Sequence, residues 1–216
     1  PQAIPFAIAM VAGAVIAASM APSLATSDYA TKLNSSGSQT EIPVIYGETG
    51  GVGAHRIFKE IVSTSDGNDT ATFIYTLGEG EIHAINQIYI DDLPLFATEK
   101  DYKNGTIGAG DISHHFRRHV QLQISIGSET SPFFFSMARE NSDGRWTDTD
   151  KLYGRAAICL KVKLDPWKGR IKNDGFKLSA KVKGKLIKDL RYESQPAGFQ
   201  HTNPFGRNPA LVVYDT

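Results

Sequence analysis

The chain has a single cysteine, Cys159, among its 216 residues. That excludes a disulfide framework and any zinc site built from several thiolates. No charged residue appears before Asp28, so the basic n-region of a secretory signal peptide is not visible. Serines are plentiful, yet none stands in the Gly-x-Ser-x-Gly elbow of an α/β-hydrolase. No internal repeat stands out. Aromatic residues, in contrast, are abundant. Eleven Phe, eight Tyr and two Trp exclude a chain that is disordered throughout. With 41% hydrophobic residues, the length suits one large domain or two small ones with a real core. Twenty Gly and ten Pro point to many turns and short strands rather than a helical bundle.

The net charge of zero hides an asymmetry. Between Lys151 and Arg191 there are thirteen Lys and Arg against Asp165, Asp174 and Asp189, whereas the remainder carries ten basic and twenty acidic residues. A basic block can mark nucleic-acid binding. Here the lysines alternate with apolar residues, as a half-buried strand requires, so a solvated sheet face is the commoner cause.

The run from Ala3 to Ala21 approaches the ~20 apolar residues that cross a bilayer. Pro5 suits a first helical turn and Pro22 a stop, which predicts an apolar helix over residues 1–26. A membrane span fits the length, but Ala and Gly dominate and the flanks lack Lys, Arg, Trp and Tyr anchors. A helix hidden in a protein assembly fits as well. Ala9, Gly13 and Ala17 are spaced by four, giving a smooth face that a neighbouring helix backbone can approach closely. The chain starts at Pro1 and stops at Thr216 after an apolar run; it reads as the front part of a longer protein.

Residues 27–41 are polar and turn-rich, a linker by composition. Ile42–Tyr46 reads as a strand, followed by Gly47, Gly50, Gly51 and Gly53. The third glycine of a dinucleotide-binding turn is absent, and phosphate cradling needs that spacing. Between Ala54 and Val62 the apolar positions 54, 57, 58, 61 and 62 fit a helix face better than a strand. Beyond this the β signals strengthen. Strands are predicted over Ala71–Leu77, Ile82–Ile90, Val120–Ile126, Ala156–Leu164 and Lys177–Lys183, with turns at Gly78–Gly80, Asp91–Pro94 and Gly184–Lys185. Ala210–Tyr214 resembles a strand or a helix start. Strands separated by turns, without helical stretches between them, imply a mainly β, mostly antiparallel system.

Candidate chemistry is sparse. His115 and His119 are four apart, a metal-binding spacing on a helix. The general-base Glu of a zincin is replaced by Phe116, and Arg117 and Arg118 would repel a dication. A surface turn leading into the strand at Val120 is the simpler reading. The acidic stretch Asn141–Asp150 has a misplaced glycine and no bidentate Glu for a calcium loop, so it reads as a polar loop. Cys159 sits in an apolar run, as a buried small hydrophobe does. Phe133–Phe135 could stack on nucleic-acid bases but reads better as a strand or packing anchor. No catalytic set emerges, which favours a structural or binding role.

Several stretches resemble the N-terminal part of phage tail tip attachment proteins, the lambda-type central hub and fibre family called protein J. They are Ile42–Gly47 with Gly50–Gly51, Thr76–Ile82, Ile88–Asp92, Leu122–Gly127, Ala180–Arg191 and Asn208–Asp215. Each is short, but they occur in the family's order across residues 42–215. From Thr98 to Asp150 only Leu122–Gly127 is similar, and the receptor-binding C-terminal part of such proteins has no counterpart here.

The resemblance implies a β-rich hub over residues 42–216, of sandwich or barrel type, divided near residue 70 or near 190 if it has two subdomains. It turns 54–62 into a strand and makes the N-terminal helix a packed element of the tail tip. It implies a homotrimer closing the distal end of the tail tube of a virion. Partners would be the distal tail ring protein, the tape-measure protein's C-terminus and other tail tip proteins, with a host receptor reached only through a further C-terminal part. No enzymatic activity, cofactor or metal is expected. The lysines at 161, 163, 181, 183 and 185 are expected to contact an acidic partner surface. The competing reading is a membrane-anchored or secreted bacterial β-sandwich adhesin, which takes the N-terminal run as a membrane segment.

Overall fold

The structure is a computed structural model that describes residues 41–63, 69–164 and 176–185, all within one unit, Leu33–Thr216. Among them run strands β1 (Glu48–Gly53), β2 (His55–Val62), β3 (Thr70–Glu79), β4 (Ala84–Ile90), β5 (Leu93–Pro94), β6 (Gly105–Thr106) and β7 (Val120–Ser125). After the short helix α1 (Ser136–Glu140) come β8 (Arg155–Lys163) and β9 (Leu178–Lys183). One sheet has the order β2-β3-β8-β7-β6 and the other β1-β9-β4-β5. All of these pairings are antiparallel. The fold is mainly β, and both sheets stay open, so it is a sandwich rather than a closed barrel.

Alternation explains how the layers meet. Phe73, Tyr75 and Leu77 of β3, Leu122 and Ile124 of β7, and Ile158, Leu160 and Val162 of β8 point to one side. They pack against Ile85, Ile88 and Ile90 of β4 and Leu178, Ala180 and Val182 of β9. A register shift between Ile85 and Gln87 keeps Ile85 and Ile88, three apart, on the same inner face. The middle strands of the larger sheet are covered on their other side too. Ile74 and Cys159 meet Phe135, Met137, Ala138 and Trp146 from the segment that carries α1. A strand buried on both faces loses its polar half, hence the long apolar runs of β3 and β8.

Within Ala54–Val62, residues His55–Val62 form strand β2 rather than a helix. A register shift between Arg56 and Phe58 resets the alternation, and the strand lies at the sheet edge, where Ile57, Ile61 and Val62 stay exposed. Those two facts produce the helix-like spacing. Ile42–Tyr46, expected as a strand, makes only bridges, from Val44 to Glu79 and from Tyr46 to Lys185. The glycine run after it forms β1 instead, with a register shift between Thr49 and Val52. The turn expected at Gly78 starts later, because β3 continues to Glu79. Residue 70 opens β3 beside β2, and residue 190 lies outside the described residues, as do the N-terminal run 1–26 and the linker up to residue 40. Among the described residues no helix is long and apolar enough to cross a membrane.

Candidate functional site

Four of the stretches singled out in the sequence converge at one end of the sandwich. The segment 42–47 lies between the sheets there. The Glu79 N–H donates to Pro43 O at 2.9 Å, the Lys185 N–H to Ile45 O at 2.8 Å and the Gly184 N–H to Gly47 O at 2.6 Å. Beside them the Ile82 N–H donates to Ile126 O at 2.9 Å, and the Gly80 N–H to Gly154 O at 2.7 Å. The crossing chains are too close for side chains. A Cβ on Gly184 would stand 2.3 Å from Ile45 O, and one on Gly127 would stand 2.6 Å from the Ala156 nitrogen. Gly127 also needs its positive φ of 87°, which other residues adopt only with strain. Residues far apart in sequence thus form one backbone staple that ties the two sheets together.

Next to the staple an open cleft of about 630 Å³ lies between Val44, Tyr46, Tyr153, Lys151, Arg155 and Lys185, with Glu79 and Glu129 also on its wall. Its apolar surface is accessible, since Val44 is 45% and Tyr153 58% exposed. An open cleft with an apolar patch and charges of both signs suits contact with a polypeptide surface. Nothing in the sequence marked this place as a cleft. Its signal was the cluster of glycines at positions 78, 80, 127, 154 and 184, legible only once their segments are known to meet.

The five expected contact lysines do not share one face. Leu160 and Val162 of β8 point into the sandwich, so Lys161 and Lys163 lie on the outer side of the larger sheet. Ala180 and Val182 of β9 also point inward, which puts Lys181 and Lys183 on the outer side of the smaller sheet. Lys185 lines the cleft. Acidic partners for the β9 lysines lie within the chain. Lys181 Nζ is 2.7 Å from Glu99 Oε2, and Lys183 Nζ is 2.7 Å from Asp101 Oδ1. The hydrogen bond from Lys183 holds the Asp101 carboxyl below its ordinary pKa, and the bond to Glu99 raises that of Lys181. Lys161 and Lys163 make no ion pair with another described residue. Ala9, Gly13 and Ala17 lie outside the described residues.

The remaining sequence candidates have ordinary structural places. His114–His119 is a run of turns around the buried Phe116, held by the Val120 N–H on Phe116 O at 2.9 Å. Burial, together with Lys163 and Arg118, pushes the His119 imidazole below its usual pKa. Among the described residues no group of three or more His, Cys, Asp or Glu is placed to hold a metal ion. Cys159 is fully buried, and burial pushes its thiol up to about 12. Phe133–Phe135 serves as a packing anchor: Phe135 is buried, and its neighbours pack on the same cluster. The loop 141–150 is not wholly polar. Its Trp146 meets Phe58 edge to face, with ring centroids 5.4 Å apart, and Arg145 pairs with the mostly buried Glu60 of β2.

No protein-family model matches the chain, and no curated protein matches it. One solved structure that aligns with it is a chain described as "Virion of native gene transfer agent (GTA) particle". The identity is 14% and the TM-score 0.44, over 81% of this chain and 36% of that one. The present chain therefore spans about a third of the length of the chain it aligns with.

Proposed function

We propose that this chain is a virion structural protein, the N-terminal hub region of a phage tail tip. Three copies would close the distal end of the tail tube, seated against the distal tail ring protein and the end of the tape-measure protein, with the host-attachment fibre further out. Its work would lie in interfaces and their rearrangement, not in bond making. The observation that carries this reading is the staple. Four of the six stretches that resemble the lambda-type hub family meet in one place, where backbone crossings demand the glycines at 127 and 184, so what these four share is an architecture. A doubly covered sheet tied to a second sheet is a stiff part, as a plug under load requires. Lys161 and Lys163 on the outer side of the larger sheet would then meet an acidic neighbour, giving register more than affinity.

Electron microscopy of native particles with an antibody to this chain tests the reading. Label at the distal tail end is the expected result. Label on bacterial envelopes in the absence of phage would overturn it in favour of an adhesin.

A further inference from the structure

Two exposed features of the sandwich are complementary and lie at opposite ends of it. The first is the tip of the β4–β5 hairpin. Asp91 and Asp92 have φ of 49° and 65°, as a tight two-residue hairpin turn needs, and Leu93 behind them is 51% exposed. The tip is held rigidly. The Lys177 N–H donates to Asp91 Oδ1 at 2.7 Å, and Lys177 Nζ is 3.0 Å from Asp92 Oδ1. Beneath it the buried Gln87 accepts from the Phe96 N–H at 2.8 Å and donates to Phe96 O at 3.2 Å. An exposed leucine on a rigid mount, flanked by two carboxylates, forms a preorganised knob.

The second feature is the cleft. Val44 and Tyr153 expose apolar surface there. Lys151 and Arg155 beside them are exposed and make no ion pair with a described residue. Glu79 and Glu129 share the wall with these two and Lys185, so cations outnumber carboxylates. Strand β9 connects the two places. Its Leu178 faces Ile90 next to the tip, and its Lys183 faces Ala84 near the cleft. At the rise of a strand these two residues are roughly 17 Å apart.

We infer that the cleft takes the hairpin tip of a second copy of this chain, with Leu93 against Val44 and Tyr153, and Asp91 and Asp92 facing Lys151 and Arg155. Each side offers what the other lacks, an apolar knob with negative shoulders and an apolar hollow with a positive surplus. Because the two patches differ, the contact is head to tail. It closes into a ring where the rotation permits and otherwise continues as a filament. The inference deepens the proposed function, since a ring of three is one such closure, but the contact itself needs only two copies.

The test mixes two single variants of the whole chain, Leu93→Cys and Tyr153→Cys, under mild oxidant. The native Cys159 is buried, so the introduced thiols are the accessible ones. A covalent dimer should form in the mixture at about ten times the yield of either variant alone. A mixture no richer in dimer than its separate components overturns the contact. In sedimentation of the full chain, Asp92→Arg and Arg155→Glu should each weaken self-association by about tenfold, and the two together should restore it. Single variants that associate like the parent overturn the contact, and trimers formed equally by every variant would do so while leaving the tail tip reading standing. Antibody label away from the tail tip would defeat that reading and leave the cross-link untouched.

Discussion

Gly184 is the residue with least room to change. A methyl group there would stand 2.3 Å from the Ile45 carbonyl oxygen, a backbone atom that also accepts from Lys185. Relief requires the segment 42–47 to withdraw from the smaller sheet. Gly184→Ala should cost about 3 kcal/mol by the overpacking rule, read as a lower urea midpoint. Gly50→Ala, whose Cβ would meet nothing within 4 Å, should change it little. Cys159 supplies a pH dependence of known sign. Burial raises its pKa from 9.0 to about 12, so above pH 9 the unfolded chain loses the proton and the folded one retains it. Its contribution is complete below pH 9 and is lost as pH climbs towards 12. Equilibrium unfolding across that window should show falling stability, and Cys159→Ala should flatten the part that belongs to the thiol. In the native state at pH 7 the thiol should resist a soluble disulfide reagent.

The layer outside the larger sheet depends on few anchors. Between Ser128 and Leu152 the chain has one five-residue helix, too short to stand alone, and it is held down by Phe135 and Trp146. Trp146→Ala removes the edge-to-face contact with Phe58 and should cost about 3 kcal/mol, measured as a drop in the unfolding midpoint. Hydrogen exchange should rise first in this layer, because the β3–β8 ladder beneath it keeps its own bonds. This layer also marks what the sequence concealed. The strands β7, β8 and β9 were legible from alternation and apolar runs, since their phase is never reset. Strand β2 was not, because a register shift and three exposed apolar residues at a sheet edge imitate helical spacing. Trp146 sat in a stretch whose acids and hydroxyls read as plain loop, and only its packing partner Phe58, far earlier in the chain on an edge strand, explains it. The cleft was illegible for the same reason: its walls come from five separate parts of the chain.

At the scale of the molecule, the order of the smaller sheet sets the order of events. Strand β9 lies between β1 and β4, so Glu48 near the start of the described chain finds its partner only in Lys183 near the end. Closing so long a span is entropically costly, although each doubling adds only about 0.6 kcal/mol. Non-local pairings of this kind are slow to form. A growing polypeptide can build the β2–β3 hairpin early, but β1 and β4 must wait with bare hydrogen-bonding rims until their common neighbour is synthesised. The half-made sandwich is therefore most vulnerable to mispairing with its siblings just before β9 emerges, and arrival of that strand acts like a zip fastener, converting two loose ribbons into a layer in one motion.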